Sequence, residues 1–353
     1  MRLGVNLGYW GAGNDADNLA LAREADRLGY SVVWAAEAYG SDAATVLAWV
    51  AAQTERIDVG SAIFQIPGRT PALTAMTAAT LDTLSGGRFR LGLGVSGPQV
   101  SEGWHGVRFD KPLSRTREYV EIVRLALARK RVKYDGQHFT LPLPDGPGKA
   151  LQLTIHPARE HLPIYLAAVG PKNLELAGEI ADGWLAIFFA PEHAEETLGH
   201  VRAGRRAAGV TGEDPLAGFD VVPTVPLVVG DDVEACAAPV RAYAALYVGG
   251  MGSREKNFYN QLATRMGYGD AAREVQDRYL ARDYEGAAAA VPSEFIDRTS
   301  LIGPKERIAD RMQAYAAVGV STLTVSTYVG GLEQRLQALR TAVEALELAG
   351  LTE

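Results

Sequence analysis

The sequence predicts an α/β fold of the (β/α)₈ or TIM-barrel type, closed by parallel strands. Short apolar runs alternate with longer stretches of helical periodicity, which is typical of repeated βαβ units. The runs show little alternation with polar residues, as expected of strands buried on both faces. Their number favours closure into a barrel over an open sheet. The predicted strands are Arg2–Gly8, Ser31–Ala36, Ile57–Ile63, Arg88–Gly94, Pro163–Ala167, Gly183–Phe188, Asp220–Val229 and Ser321–Ser326.

The stretches between these strands carry the start and stop signals of helices. Apolar residues recur at helical spacing from Leu19 to Leu28 and end at Gly29, which suits the residue after a helix. Proline is favoured at the first helical position, where its missing N–H has no intrahelical partner. We therefore expect helices to begin at Pro71, Pro112, Pro171, Pro191 and Pro304.

Composition excludes several classes of protein. The 353 residues are 47% hydrophobic and 22% charged, an ordinary globular composition that can bury a large core. The one cysteine, Cys236, cannot form a disulfide within the chain and suits a reducing compartment. We find no secretory signal and no apolar run near the ~18 residues of a membrane span. The net charge of −7 argues against nucleic acid as a partner. We expect a soluble cytoplasmic protein.

Two stretches interrupt the alternation of strands and helices. Residues 131–161 contain a predicted hairpin with Asp135-Gly136 as its turn, followed by a Gly/Pro-rich loop. Residues 249–298 are mainly helical in pattern and interrupt the seventh unit. We interpret both as insertions in a single domain of residues 1–353.

A glycine and a proline follow the fifth predicted strand, in the segment Gly170-Pro171-Lys172-Asn173. Unpaired N–H groups and the helix dipole at such a helix start make a site for an anion such as phosphate. The location also fits, because barrel active sites lie at the C-terminal ends of the strands. The alternative is a plain turn whose glycine allows tight packing.

The segment Gly92-Leu93-Gly94-Val95-Ser96-Gly97 matches the dinucleotide-binding pattern G-x-G-x-x-G. A true match should open a helix, whereas the residues that follow, Pro98–Trp104, resemble a loop. We interpret the match as false. The glycines would still allow a ligand to approach the backbone closely.

Candidate acid–base residues follow the second and fourth predicted strands. Glu37 and Tyr39 offer a carboxylate and a phenol; the alternative is an acidic loop in which Ser41 or Asp42 caps the next helix. His105 is a further candidate, with packing as its alternative role, and its neighbour Trp104 is a candidate pocket wall.

Patterns of metal ligands are missing from the sequence. There is no H-E-x-x-H or C-x-x-C motif, and His156 and His161 lie in a Pro-containing loop at a spacing that does not share a helical face. We therefore predict no metal site.

Several segments together resemble the luciferase-like monooxygenase superfamily, and within it the oxidoreductases that use coenzyme F420, an 8-hydroxy-5-deazaflavin. They are WAAEAYGSDA, ATLDTLSGGRFRLGLGVSGPQVSEGWHG, SRTREYVEIVR and IYLAAVGPKNLELAGEIADGW, in that order. The resemblance covers most of residues 1–189 and returns more weakly near residues 296–326. It implies a bacterial-luciferase-like barrel, a cofactor ring near the C-terminal ends of the strands, hydride transfer at the deazaflavin C5 carbon, and a homodimer or larger assembly.

The resemblance also implies roles for residues of this chain. Glu37 falls where relatives have an acidic residue near the ring, and Ala62 and Ile63 fall where they often have a non-prolyl cis peptide behind it. Gly94, Val95 and Ser96 match the loop beside the ring or ribityl chain. The implied phosphate segment is Val169, Gly170, Pro171, Lys172 and Asn173.

One departure favours a direction of reaction. Some F420-dependent relatives, including sugar-phosphate dehydrogenases, have a histidine base directly after the acidic residue of the second strand, and this chain has Ala38 there. A reductase needs only a proton donor, which Glu37, Tyr39 or His105 would supply. We therefore expect a reductase. The alternatives are an FMN-dependent luciferase-like monooxygenase and a non-catalytic deazaflavin-binding protein.

Overall fold

The computed structural model describes residues 1–8, 10, 15–327 and 330–352. In this part of the chain, eight parallel strands form a closed barrel, which confirms the predicted fold. Each strand pairs with the next along the chain, and the last pairs with the first, Arg2 opposite Thr322. The strands are β1 (Arg2–Asn6), β2 (Val32–Ala35), β3 (Asp58–Ser61), β4 (Phe89–Gly94), β5 (Ile164–Ala167), β6 (Gly183–Ile187), β7 (Asp220–Val229) and β8 (Thr322–Thr327).

Helices surround the barrel, and short helices also lie within the loops at one end of it. They are α1 (Asp15–Leu28), α2 (Ala43–Ala51), α3 (Pro71–Leu84), α4 (Pro98–Gly103), α5 (Pro112–Leu127), α6 (Pro171–Ile180), α7 (Ala194–Ala207), α8 (Val233–Ala245), α9 (Phe258–Ala263), α10 (Gly269–Leu280), α11 (Tyr284–Ala289), α12 (Ser293–Arg298), α13 (Lys305–Ala317) and α14 (Leu332–Leu348). No helix of the described residues is long and apolar enough to cross a membrane.

Most of the predicted helix signals are confirmed. Gly29, directly after α1, has a φ of +83°, which favours glycine. Three of the five prolines are first residues of helices: Pro71, Pro112 and Pro171. Pro191 opens a single 3₁₀ turn before α7. Pro304 differs, because it is the extended N-cap of α13 and the helix begins one residue later.

Two predicted strands extended two residues too far at their C-terminal ends. β1 ends at Asn6 rather than Gly8, because the backbone of Gly8 has a φ of +67° and leaves the extended region. The third predicted strand is divided: β3 ends at Ser61, and a two-residue strand, Phe64–Gln65, follows the peptide bond between Ala62 and Ile63 and pairs with β4.

The prediction of a two-residue turn at Asp135-Gly136 was wrong. The short strands of this hairpin are Tyr134–Asp135 and Thr140–Leu141, so four residues connect them. The reason lies in a distant part of the chain, because the carboxylate of Glu118 in α5 accepts hydrogen bonds from the amides of residues 137, 138 and 139, at 2.7, 2.8 and 3.1 Å.

The expectation of a loop after the glycine-rich segment was also wrong. Residues 98–103 form the short helix α4, with Pro98 at its first position and Gly97 as its N-cap. Proline suits that position since its φ is already helical. A helix does therefore follow the G-x-G-x-x-G segment, and it is the closed barrel, not a missing helix, that rules out a dinucleotide-binding open sheet.

The two ends of the barrel differ in chemistry. At the N-terminal end, Arg90 donates to Asp58 at 2.8 Å and to Asp220 at 3.3 Å, and Arg2 donates to Asp220 at 3.0 Å. Inside the barrel, an apolar cluster includes the buried residues Trp34, Tyr165 and Leu185 and the partly buried residues Ala62, Ile63 and Ala167. The partly buried residues of this cluster lie at the C-terminal ends of β3 and β5. A ligand can therefore reach the barrel from its C-terminal end.

The residues between β7 and β8 lie over this open end. The ring of Phe258 in α9 is 6.3 Å from that of Phe109 in the β4–α5 connection. The ring of Phe295 in α12 is 5.5 Å from that of Phe188, the residue after β6. The predicted helical interruption of the seventh unit is thus a group of short helices that packs against the loops at the mouth of the barrel.

Candidate functional site

Glu37, two residues after β2, is held by backbone amides at the mouth of the barrel. One carboxylate oxygen accepts from the amide of Gln65 at 3.0 Å, and the other accepts from the amide of Ala43 at 3.1 Å. Arg69 donates to both oxygens, at 3.4 Å from Nε and 3.1 Å from Nη2. The side chains of Arg69 and Glu37 are only 12% and 10% exposed. Glu37 is therefore a fixed, largely buried link between the loops after β2 and β3.

Arg69 joins this carboxylate to a second one, that of Asp42. Asp42 caps α2 by accepting from the amide of Thr45 at 2.8 Å. Burial opposes the charge of Asp42, but its hydrogen bonds with Thr45 and the charge of Arg69 outweigh burial and lower the pKa of Asp42. Burial also opposes the charge of Arg69, and its bonds to Glu37 and Asp42 raise the pKa of its guanidinium. Asp42 and Arg69 are therefore both charged in the neutral pH range.

Gln65 connects two further predicted residues, Ser96 and His105. Its amide nitrogen Nε2 donates to Ser96 Oγ at 2.7 Å, and its Oε1 lies 2.8 Å from His105 Nε2. The side chain of Gln65 is buried, at 3% exposure. The His105 ring also lies against Gly68, where an added Cβ would be 2.9 Å from the ring carbon Cε1. Gln65 thus joins sequence-predicted residues from two other loops, Glu37 after β2 and Ser96 and His105 after β4, in one network.

An apolar floor lies beside this network. The peptide bond between Ala62 and Ile63 is cis, as expected from the family resemblance. Gly94, at the end of β4, faces the Ile63 side chain, since an added Cβ would lie 2.7 Å from Ile63 Cδ1 and 3.5 Å from Ala167 Cβ. Ala62, Ile63 and Ala167 are partly exposed. Their surface is wide and apolar enough to support one face of a planar ring.

The start of α6 lies at the end of β5, beside this floor. Gly170 is the N-cap, with no side chain that bonds the first amides among the described residues. Open space lies in front of it, because no atom of the described chain comes within 4 Å of an added Cβ. Lys172 is directed elsewhere: its Nζ binds Glu175 at 2.7 Å, and its side chain is 77% exposed. The backbone of this segment is open to an anion, while the Lys172 ammonium is paired with Glu175.

Two other predicted residues, Tyr39 and Trp104, are largely exposed, each at 65%. Trp104 therefore does not form the predicted pocket wall in this structure. Ser41 does not cap α2, since its Oγ accepts from the amide of Trp10 at 3.1 Å, and the capping role falls to Asp42.

Three site residues were not predicted from the sequence: Gln65, Arg69 and Arg265. Gln65 and Arg69 follow the cis peptide, and their roles arise from contacts with residues about 30 positions away. Arg265, in the residues between β7 and β8, donates from Nη2 to the carbonyl oxygen of Val169 at 3.0 Å, across 96 positions. A signal was present only for Gln65, a polar residue within an apolar run.

Fold and site together define the class of protein: an enzyme-type (β/α)₈ barrel with a network of polar groups at the C-terminal ends of the strands. The model of the luciferase-like monooxygenase family matches residues 6–322. The chain belongs to this family.

Individual relatives and solved structures show which proteins the chain is similar to. The chain is 44% identical to a Mycobacterium tuberculosis protein assigned as a coenzyme F420-dependent oxidoreductase, over 95% of this chain and 96% of that one. It is 29% identical to the 5,10-methylenetetrahydromethanopterin reductase of Archaeoglobus fulgidus, over 87% and 88% of the two chains. Among solved structures, the coenzyme F420-dependent tetrahydromethanopterin reductase of Methanopyrus kandleri has the same fold, with a TM-score of 0.82 at 22% identity, over 98% of each chain.

Proposed function

We propose that this protein is an F420-dependent oxidoreductase that acts as a reductase of a small organic molecule. The observation that carries the proposal is the apolar floor at Ala62, Ile63 and Ala167, with an uncapped helix start at Gly170 beside it. A ligand that carries both a planar ring and a phosphate needs an apolar surface for the ring and a helix start for the phosphate. The relative with 44% identity, assigned as F420-dependent, supports the choice of cofactor.

The residues present fit a deazaflavin. Ile63 and Ala167 would support one face of the ring. Because Gly94 has no Cβ, the Ile63 side chain has room to lie beneath the ring. Val95 and Ser96 would lie along the ribityl chain, and the amides of Lys172 and Asn173 would bind the phosphate. The bound cofactor supplies or accepts a hydride at C5, so the protein has to orient the reactants and handle a proton.

His105 is the proton donor in this proposal. Glu37 is occupied by two amides and Arg69, and Tyr39 is 65% exposed. His105 donates from Nε2 to Gln65 Oε1, since the other end of that amide donates to Ser96. The remaining nitrogen, Nδ1, carries a proton in the imidazolium form and can give it to the substrate.

The direction of the reaction follows from Ala38. A methyl group stands next to Glu37, so the chain has no histidine base at this position to take a proton from an alcohol. A reductase has no need of that base. The Archaeoglobus fulgidus relative, which is named as a reductase, supports the same direction.

Parallel spectral titrations of the purified protein with oxidised F420 and with FMN test the choice of cofactor. We expect saturable binding of F420 and much weaker binding of FMN. The reverse preference, with oxygen consumed when reduced FMN is supplied, would establish a flavin monooxygenase instead. Stopped-flow oxidation of bound reduced F420 by a panel of acceptors tests turnover, because a purely binding protein gives no saturable dependence on the acceptor.

We also propose a homodimer whose interface is formed by α2 and α3. These helices pack against each other, and Trp49, Leu73 and Met76 on their outer faces are 54%, 45% and 53% exposed. Large apolar side chains grouped on neighbouring helices favour a protein interface. A second copy of the chain would cover them. We further propose that residues 1–353 form one domain with its insertions, and that the protein works in the cytoplasm, where its single cysteine stays reduced.

A further inference from the structure

A cavity lies between the starts of α6 and α7 and the residues that connect α9 to α10. Val169, Pro171 and Leu174 line it on the side of the proposed phosphate segment. Leu262, Arg265 and Met266 line it on the side of the inserted helices. It therefore continues from the end of β5 into a space that the helices between β7 and β8 close.

Arg265 is the fixed cation of this cavity. Its Nη2 donates to the carbonyl oxygen of Val169 at 3.0 Å, and Val169 directly precedes the N-cap of α6. In the part of the chain that the structure describes, no carboxylate lies within 4.0 Å of its guanidinium. The side chain is half-buried. Its remaining N–H groups are thus available to an anion that occupies the start of α6.

The other charged groups of the cavity do not take this role. Lys172 extends into solvent and binds Glu175. His200 also binds Glu175, at 3.3 Å, and His193 lies 3.5 Å from Arg298 Nη1. Glu196, which lines the cavity as well, adds a negative charge that disfavours an anion there. An anion is therefore best placed on the side of Val169 and Arg265.

We propose that Arg265 binds the phosphate of the deazaflavin cofactor beside the first amides of α6, and that Lys172 does not. This inference rests on the proposed function. A guanidinium presents several N–H groups in a plane, which matches the geometry of a phosphate. Since Arg265 belongs to the helices over the barrel mouth, its contact with the phosphate would also tie those helices to the bound cofactor.

Equilibrium titrations that follow cofactor fluorescence test this assignment without any substrate. Three ligands are compared: the deazaflavin that ends at its ribityl hydroxyl, the phosphorylated form without glutamates, and complete F420. The variant is Arg265→Met. Lys172→Met tests whether the lysine side chain contributes, and Arg273→Met, which removes one positive charge from an exposed position of α10, is the matched control. Melting curves of the ligand-free proteins verify folding, and Arg265→Lys, which keeps the charge but loses the planar fork, serves if Arg265→Met is unstable.

We expect Arg265→Met to weaken binding of both phosphorylated ligands at least about tenfold and to leave the ribityl form within about twofold. Arg273→Met should bind all three ligands like the unaltered protein. Lys172→Met should lose less than about twofold in affinity, because only its backbone amide belongs to the proposed phosphate site. The affinity of Arg265→Lys should fall between those of Arg265→Met and the unaltered protein. An equal loss for all three ligands, a loss confined to complete F420, or the same loss in Lys172→Met would overturn the assignment. If the unaltered protein binds none of the three deazaflavins, the proposed function itself fails.

Discussion

His105 Nε2 lies 2.8 Å from Gln65 Oε1, and the opposite end of the same amide donates to Ser96 Oγ at 2.7 Å. The amide is buried, so it holds the imidazole ring in one orientation. This contact leaves Nδ1 as the nitrogen that can exchange a proton with a ligand.

Gln65→Met should change the NMR signal of the His105 ring, because the ring loses its hydrogen-bond partner at Nε2. Histidine ring signals of the cofactor-free protein at one fixed pH measure the change, and His105→Phe identifies the signal. Gln337→Met removes an amide from the exposed side of α14 and should leave that signal unchanged. An unchanged His105 signal in Gln65→Met would show that the two side chains do not interact in solution.

Gly92→Ala and Gly94→Ala should fail in different ways, although both glycines lie in β4. A Cβ at Gly92 would be 1.9 Å from the backbone oxygen of Ser61, so we expect the free energy of unfolding to fall by about 3 kcal/mol. A Cβ at Gly94 meets only the movable end of Ile63, so the protein should fold and bind F420 at least about tenfold more weakly. Urea unfolding and fluorescence titration separate the two effects. Equal behaviour of the variants would contradict the proposed floor.

Gly170→Val should weaken F420 binding at least about tenfold with little change in melting temperature. The backbone at Gly170 has an ordinary extended conformation (φ −85°, ψ 155°), and no atom of the described chain is within 4 Å of an added Cβ. A valine therefore fits the protein and intrudes only on a ligand. Gly212→Val, in the loop between α7 and β7 at the other end of the barrel, is the control. Unchanged affinity in a folded Gly170→Val protein would contradict a phosphate at the start of α6.

Glu37→Gln should lower the free energy of unfolding by about 2–4 kcal/mol, because it leaves the buried Arg69 with less compensation. Chemical denaturation at neutral pH measures the loss. The control is Glu55→Gln at an exposed position, where we expect a change within about 0.5 kcal/mol. A Glu37→Gln protein of full stability would mean that the carboxylate is not the structural link described above.

Met76→Glu should shift the protein from dimer to monomer, since a charge would be buried in the proposed α2–α3 interface. Sedimentation velocity over a range of protein concentrations measures the assembly state. Leu348→Glu, at a similarly exposed apolar position on α14, should leave it unchanged. If the unaltered protein is a monomer at every concentration, the homodimer proposal is wrong.

The sequence alone was sufficient to predict the barrel and most of the elements that form it. Hydrophobic periodicity is local, so it predicted the strands and helices, and the prolines of α3, α5 and α6 marked their starts correctly. The order of the family segments predicted the cis peptide at Ala62 and Ile63. Local patterns were least accurate at the ends of helices and strands. The four-residue hairpin loop, for example, forms because the distant Glu118 binds its amides.

Only the tertiary structure decided what the individual polar side chains do. Lys172 belongs to the phosphate segment that the family resemblance implies, yet its ammonium binds Glu175, and the cation beside Val169 is Arg265 from 96 positions away. Gln65 had no predicted role until the barrel brought Ser96 and His105 to its two ends. Hydrophobic periodicity shows which face of a helix or strand is buried, because each residue contributes to the free energy of burial separately. The partner of a hydrogen bond or an ion pair depends on which loops the closed barrel brings together, and a local pattern contains no information about that.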